Sequence, residues 1–302
     1  MYSKDTLILY HHQKYMNMIL VTGATGHLGR IVIQNLLKKV PASQIAALVR
    51  DESKAADLQE KGVDIRIGTY DDTASLDKAM QGIDKVLLIS GVDMKRLEQH
   101  KNVVDAAKKA NVQFLAYTGV SMKNSESAAN ELMKSHFQTE DYIKESGLTY
   151  AFLRNTLYTE GVPMFAGDKV FETGIYLPAG SGKVPYALRS EMGEAAANVL
   201  LEKSSDSKTY NITGSESHSF ADIAAILTDL SGQEVTYTPA EKAAFEAQMK
   251  EVGVPEFLIQ ITAAFSTDIK NGLHEEASSD LENLLGRKPT SLKEGLKAIY
   301  NL

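Results

Sequence analysis

The chain has 302 residues, 43% hydrophobic and 24% charged, a globular composition that excludes collagen-like, low-complexity and wholly disordered chains and suits one large domain or two ordinary ones. The absence of cysteine removes disulfides, thiolate metal sites, iron–sulfur clusters and a cysteine nucleophile. With 39 acidic residues against 32 basic ones the net charge is −7, which gives no general attraction to nucleic-acid phosphates, and no apolar run reaches the roughly 20 residues a bilayer crossing needs.

Residues 1–17, MYSKDTLILYHHQKYMN, carry only a short apolar stretch from Thr6 to Tyr10 and no small-residue cleavage site. They read as an N-terminal extension rather than a secretory signal, and a cytoplasmic location is expected. From Met18 the pattern alternates between β-branched runs and segments with apolar spacing of three and four residues, the rhythm of βαβ units. Strands are predicted at Met18–Thr22, Gln44–Arg50, Val63–Ile67, Lys85–Ser90, Gln113–Thr118 and Leu148–Arg154. Parallel strands need such helical crossovers, so a Rossmann-type, doubly wound α/β sheet is expected.

The first strand runs into VTGATGHLG, with Gly23, Gly26 and Gly29 in G-x-x-G-x-x-G spacing before a helix. In that context the first glycine permits a tight turn, the second lets backbone approach a pyrophosphate, and the third lets helix and strand pack closely. The helix N-terminus then offers free N–H groups and the positive end of its dipole. Residues Gly23, Thr25, Gly26, His27, Leu28 and Gly29 are therefore expected to hold a dinucleotide. The second strand ends in LVRDESK, where Arg50 suits a 2′-phosphate through its planar fork and Asp51 would suit a ribose. NADPH is favoured over NADH. Ser90-Gly91 and Thr118-Gly119 are expected to close the next two strands at their carboxyl ends, where an open sheet has its ligand crevice.

Further along, residues 127–146 have helical spacing and Gly147 reads as the stop beyond that helix. After about residue 155 a Gly- and Pro-containing stretch precedes mostly helical segments, which predicts a smaller, interleaved, mostly helical substrate lobe at 156–186 and 216–302. Arg189–Lys203 reads as a helix and Lys208–Thr213 as a strand returning to the main sheet. Residues 18–155, rejoined by about 187–215, would form the dinucleotide-binding domain.

Short-chain dehydrogenases commonly use Y-x-x-x-K, because the lysine lowers the phenol pKa toward working pH. Of the 13 tyrosines only Tyr10 has a lysine four residues on, Lys14, and both lie in the extension. Reduction is thereby narrowed to acceptors electrophilic enough to need no strong acid, such as quinones and conjugated cationic dyes. AGSGKV at Ala179–Val184 lacks the first glycine of a P-loop and reads as a turn. The histidines show no metal-ligand spacing, and no metal is expected.

The runs VTGATGHLG, PASQIAALVR, QHKNVVDAAKKANVQFLAYTG and SGLTYAFLRNTLYTE resemble the NmrA-like atypical short-chain dehydrogenases, in particular their NADPH-dependent quinone- and dye-reducing branch. The resemblance covers about residues 18 to 302. It implies that Gly23–Gly29 bind the pyrophosphate and Arg50 the 2′-phosphate, with Ser90 and Gly91 along the adenosine side. Arg154, Asn155 and Tyr158 fall on the family's LRN-x-x-Y segment, which closes over the nicotinamide and borders the substrate pocket. Arg189 matches a coenzyme-contacting arginine, and His136 and Glu140 sit on a helix that passes the site. His27 and Thr69 depart from the family's usual residues.

The resulting expectation is an NADPH-dependent reductase of a quinone or similar aromatic acceptor. Asn155, Tyr158 and His136 are its candidate catalytic residues, and Arg154, Asn155 and Arg189 add to the coenzyme contacts. The alternative is a non-catalytic dinucleotide-binding redox sensor, which the family also contains; a sugar-nucleotide epimerase would need the missing tyrosine–lysine relay. The expected partner is a small molecule, without nucleic acid or membrane, and a homodimer is left open.

Overall fold

The computed structural model describes residues 17–167, 169–203 and 206–302. The expected extension, with Tyr10 and Lys14, lies outside the described residues apart from Asn17. In chain order the elements begin β1 (Ile19–Val21), α1 (His27–Leu37), β2 (Ile45–Val49), α2 (Ala56–Glu60), β3 (Asp64–Ile67), α3 (Thr73–Ala79), β4 (Lys85–Leu88) and α4 (Arg96–Lys109). They continue with β5 (Phe114–Val120), α5 (Glu131–Ser146), β6 (Thr149–Asn155), α6 (Val162–Ala166), α7 (Val170–Thr173), β7 (Ile175–Leu177) and β8 (Lys183–Val184). The last are α8 (Arg189–Leu201), β9 (Lys208–Ile212), β10 (His218–Ser219), α9 (Phe220–Ser231), β11 (Tyr237–Pro239), α10 (Lys242–Glu251), α11 (Glu256–Lys270), α12 (Asp280–Leu285) and α13 (Leu292–Tyr300).

Seven strands form one sheet in the order β3-β2-β1-β4-β5-β6-β9, the doubly wound arrangement the sequence predicted. The strands β1, β2 and β5 are buried at every residue, and β1 and β2 are apolar throughout. That is what a parallel strand covered on both faces requires. The registers Ile19↔Ile45 and Ile19↔Lys85 place β1 between β2 and β4, and strand order reverses there, which makes the carboxyl ends of β1 and β4 the switch point. As predicted, β9 joins this sheet.

Three boundaries differ from expectation: β4 ends at Leu88, so Ser90 and Gly91 lie beyond the strand rather than closing it. Thr118-Gly119 does not close β5, because Gly119 and Val120 are themselves buried and the ladder runs on until Ser121 donates its N–H to the Asn155 carbonyl at 2.9 Å. The helix expected from residue 127 starts at Glu131, where the Asn130 side chain accepts the Leu132 N–H at 3.0 Å and caps the first turn. Gly147, at φ +79°, ends that helix as predicted.

The chain divides into two compact units, each built from more than one segment. One comprises the described residues through Thr118 with Asp141–Ala151 and Ala196–Lys208; the other comprises Gly119–Glu140, Phe152–Ala195 and Thr209–Leu302. The second unit has its own apolar core, in which Val162, Phe165, Ile175, Leu177, Phe220, Ile223, Leu227, Ile259 and Leu296 are buried. Capping boxes at Ser219/Asp222 and Ser291/Glu294 fix the starts of α9 and α13.

Candidate functional site

In the first unit the glycine loop leaves β1 at Gly23 with φ +58°, a conformation glycine adopts without steric cost. A β-carbon on Gly29 would lie 2.3 Å from the Gly23 carbonyl oxygen and 2.9 Å from the Ala24 Cα, so only glycine lets α1 start against the loop. Gly26 is the N-cap of α1 and supplies no side-chain cap, so the first N–H groups, at His27, Leu28 and Gly29, face outward uncapped by any side chain. No acidic residue occupies the first turn, and the dipole there is left to favour an anion. Gly23, Gly26 and His27 are exposed and Thr25 half-buried, whereas the Leu28 side chain enters the core and contributes to the site only through its backbone.

Arg30, on the first turn of α1, ties this loop to the segment after β2. It donates to the Thr25 carbonyl at 3.3 Å, to Asp57 at 2.5 Å and to the Lys54 carbonyl at 2.6 Å. Arg50 follows β2 directly and is exposed. Its neighbour Asp51 is turned away onto Ser53, accepting from both its N–H and its hydroxyl at 3.0 and 2.6 Å, and those bonds hold the carboxyl below its usual range. Arg50 is thus the charge left unengaged by this local turn.

Ser90 and Gly91 follow β4, and the Ser90 N–H donates to Thr118 Oγ1 at 2.9 Å. Gly91 is held on both sides from α4: its N–H donates to His100 Nε2 at 3.4 Å, and its carbonyl accepts from Arg96 at 3.1 Å. The His100 ring, wholly buried, lies edge-on to Tyr70 and Tyr117 with centroids 6.3 and 5.4 Å apart. Burial, reinforced by the Arg96 charge, pushes its pKa down to about 3, so the imidazole is neutral and its Nε2 accepts. Gln99 donates to Asp71 and Asp93, and Asn102 to the Tyr70 carbonyl. The Tyr70 hydroxyl reaches both Thr22 Oγ1 and the Ile89 carbonyl, directly beneath the switch point, and burial pushes its phenol upward.

None of Tyr70, Arg96, Gln99 and His100 was anticipated as part of the site. The available signal was the spacing of Arg96, Gln99 and His100, three and four residues apart and in phase with the apolar residues Val103, Val104 and Ala107, so that polar groups continue a buried stripe.

In the second unit, Asn155 ends β6 and is buried, and its side chain shares a hydrogen bond with the Tyr158 hydroxyl. The Arg189 guanidinium lies 4.4 Å above the centre of the Tyr158 ring and is also bonded to its hydroxyl, while Glu160 accepts the Arg189 N–H. Burial raises the Tyr158 phenol, which keeps it protonated. Three predicted site residues, Asn155, Tyr158 and Arg189, thus meet in one cluster. Arg154 is otherwise engaged: its fork donates to Glu140 at 2.9 and 2.6 Å and rests on the Phe137 ring at 5.2 Å. His136, on the same helix, is buried. Among the described residues no group of three or more His, Asp or Glu is placed to hold a metal ion, and no helix is long and apolar enough to cross a membrane.

The chain matches the model of the NmrA-like family over residues 16–298. It is 38% identical over 287 residues to quinone oxidoreductase 2 of Escherichia coli, covering 94% of this chain and 99% of that protein. Its fold superposes on the E. coli NADPH-dependent quinone oxidoreductase complexed with NADPH with a TM-score of 0.89, at 38% identity and with 94% and 100% of the two chains covered. The Citrobacter sp. triphenylmethane reductase complexed with NADP(H) gives a TM-score of 0.86 at 41% identity, over 93% and 99% of the chains.

Proposed function

Because the chain belongs to the NmrA-like family, we propose that it is an NADPH-dependent reductase of quinones or similarly electrophilic aromatic acceptors. The observation that carries the coenzyme is the uncapped start of α1 behind a loop in which a β-carbon at Gly29 has no room. Backbone N–H groups at His27, Leu28 and Gly29 suit a pyrophosphate, and Arg50, with Asp51 turned onto Ser53, suits a 2′-phosphate better than a bare ribose. Ser90 and Gly91, fixed by Thr118, His100 and Arg96, would flank the adenosine side. The solved relatives complexed with NADPH and NADP(H) support the same coenzyme.

When bound, NADPH supplies a hydride, and a quinone or dye accepts it without a strong protein acid because its product charge is delocalised. The residues assigned to acceptor and nicotinamide orientation are Asn155, Tyr158 and Arg189. Arg189 fixes the Tyr158 ring from above, and the raised phenol keeps a proton to donate. Orientation is the contribution asked of them. His136 is buried on α5 and is assigned a supporting role.

In this reading residues 18–155, with about 187–215, bind the coenzyme, and 156–186 with 216–302 form the acceptor lobe. The acidic net charge fits a small-molecule partner rather than nucleic acid, and we place the enzyme in the cytoplasm. The test is NADPH consumption by the purified protein against a panel of small quinones and triphenylmethane dyes, with calorimetric titration of NADPH in parallel. Turnover with at least one acceptor is expected. Tight binding of NADPH without turnover of any acceptor would identify a sensor instead.

A further inference from the structure

The second unit contains a buried aspartate and a buried histidine with no part in the coenzyme reading. Asp268, near the end of α11, is wholly buried, and His274, in the turn that follows, is 2% exposed. Both act on one stretch of chain, Ser121–Asn130, between β5 and α5. The Ala129 N–H donates to Asp268 Oδ1 at 2.6 Å, the Lys123 N–H donates to the Leu273 carbonyl at 2.8 Å, and His274 Nδ1 lies 3.0 Å from the Ser121 carbonyl. A carbonyl only accepts, so the His274 proton sits on Nδ1. The stretch is gripped at both ends and in between.

Apolar packing holds it as well: Val120, Met122, Ala128 and Met133 are buried against Leu273. Burying a carboxyl and an imidazole as well is costly unless their bonds do something packing cannot, which is to fix position rather than to add contact. The point His274 fixes is Ser121, and the point Asp268 fixes is Ala129. His274 holds the Ser121 carbonyl, and the Ser121 N–H is the rung that continues the ladder onto the Asn155 carbonyl at 2.9 Å. Asn155 in turn shares its side-chain hydrogen bond with Tyr158. Asp268 Oδ2 and His274 Nε2 are buried without a hydrogen-bond partner, so neither group is held by bonds elsewhere that would account for its place.

We propose that His274, through Ser121, and Asp268, by anchoring Ala129 at the other end of the same stretch, are positioning residues that set the location of the Asn155 carboxamide for the acceptor. The inference rests on the reading of Asn155 and Tyr158 given under Proposed function. Other charged groups around the pair are Lys134, whose charge reaches Asp268, and the Lys123–Glu275 ion pair at 3.8 Å.

The test compares His274→Leu with His274→Asn, whose amide can reproduce the Nδ1–H, and adds Asp268→Asn, which retains an oxygen for Ala129. For His274→Leu the expected result is an acceptor KM raised about ten-fold with NADPH affinity within about two-fold of wild type, a loss of the size small misplacements produce. His274→Asn should restore KM to within about three-fold, and Asp268→Asn should behave likewise, because both keep the positioning bond. Unchanged KM and kcat in His274→Leu, or equal impairment in His274→Leu and His274→Asn, would overturn the proposal. Hydrogen exchange, which needs no turnover, separates this from failure of the reductase reading. Faster exchange in the peptides covering 121–130 and 155–158 of His274→Leu, reversed in His274→Asn, is expected even if no acceptor is found. No change there overturns the proposal, as does a pair of His274 variants that both fail to fold while Asp268→Asn exchanges like wild type.

Discussion

Gly29 lies so close to Gly23 that a β-carbon on the one would sit 2.3 Å from the carbonyl oxygen of the other, whereas at Gly91 the nearest atom to such a carbon is 3.9 Å away. The two glycines therefore separate a position closed by protein packing from one the protein leaves open. Gly29→Ala forces backbone apart and should cost about 1–3 kcal/mol of stability together with coenzyme binding. Gly91→Ala meets only an ordinary van der Waals contact with the Asp93 nitrogen, so its stability should stay within about 0.5 kcal/mol of wild type. If the coenzyme passes Gly91, NADPH affinity measured by calorimetry should nonetheless fall about ten-fold, roughly 1.4 kcal/mol. Unchanged affinity would remove Gly91 from the coenzyme site.

Arg50 and Asp51 make opposite demands on a dinucleotide, and the local turn decides between them by occupying Asp51 with Ser53. Arg50→Leu should weaken NADPH by about 10- to 100-fold, the 1.5–3 kcal/mol of a charged hydrogen bond, and leave NADH nearly unchanged. Because Arg50 is exposed, the wild-type preference should shrink as salt rises. Titration with both coenzymes at two ionic strengths checks it; an equal loss for NADPH and NADH would assign Arg50 to the adenine rather than to the phosphate.

The sheet and the glycine loop were legible because both are set by local rules. Buried parallel strands read as apolar runs, and Gly23, Gly26 and Gly29 have spacing that few other structures demand. The layer beneath the loop was not legible. Arg96, Gln99 and His100 continue the buried stripe of their helix, but their partners Gly91, Asp71 and Asp93 come from other segments. Tyr70 was passed over for the same reason, since its partners Thr22 and Ile89 are distant in sequence. The role of Glu140 was equally hidden, because a helix residue and a strand residue pair only once the chain has folded.

His100 makes folding pH-dependent in a definite direction. Its folded pKa is depressed to about 3 by burial and by Arg96, against about 6.5 in an unfolded chain. A group with a depressed folded value gives its full stabilisation above the unfolded pKa and loses it as pH falls toward the folded one. His100 should then cost about 2 kcal/mol between pH near 6.5 and pH near 4.5. His100→Gln keeps an acceptor for the Gly91 N–H but does not titrate. Urea unfolding should accordingly show a shallower loss of stability below pH about 6.5 in the variant. His274, whose pKa burial also lowers, leaves a residual slope, and Asp268, whose carboxyl burial raises, opposes it. Parallel slopes in both proteins would mean that His100 titrates as an ordinary histidine.

Arg154 was expected at the coenzyme, yet its fork is taken by Glu140, which is 1% exposed against 26% for the arginine side chain. Removing one member of such a pair strands a charge, so Glu140→Ala should destabilise by about 3 kcal/mol, the low end for buried pairs because Arg154 is partly solvated. Arg154→Lys cannot reproduce two parallel bonds and should also lose stability. The combination Glu140→Leu with Arg154→Met should lose less than the sum of its parts, since neither charge is left behind. If Glu140 is the arginine's main partner, Arg154→Lys will lower the melting temperature while NADPH affinity stays within about three-fold. The reverse pattern, weak binding in a fully stable Arg154→Lys protein, would return Arg154 to the coenzyme contacts and reduce its bond with Glu140 to a means of aiming the guanidinium.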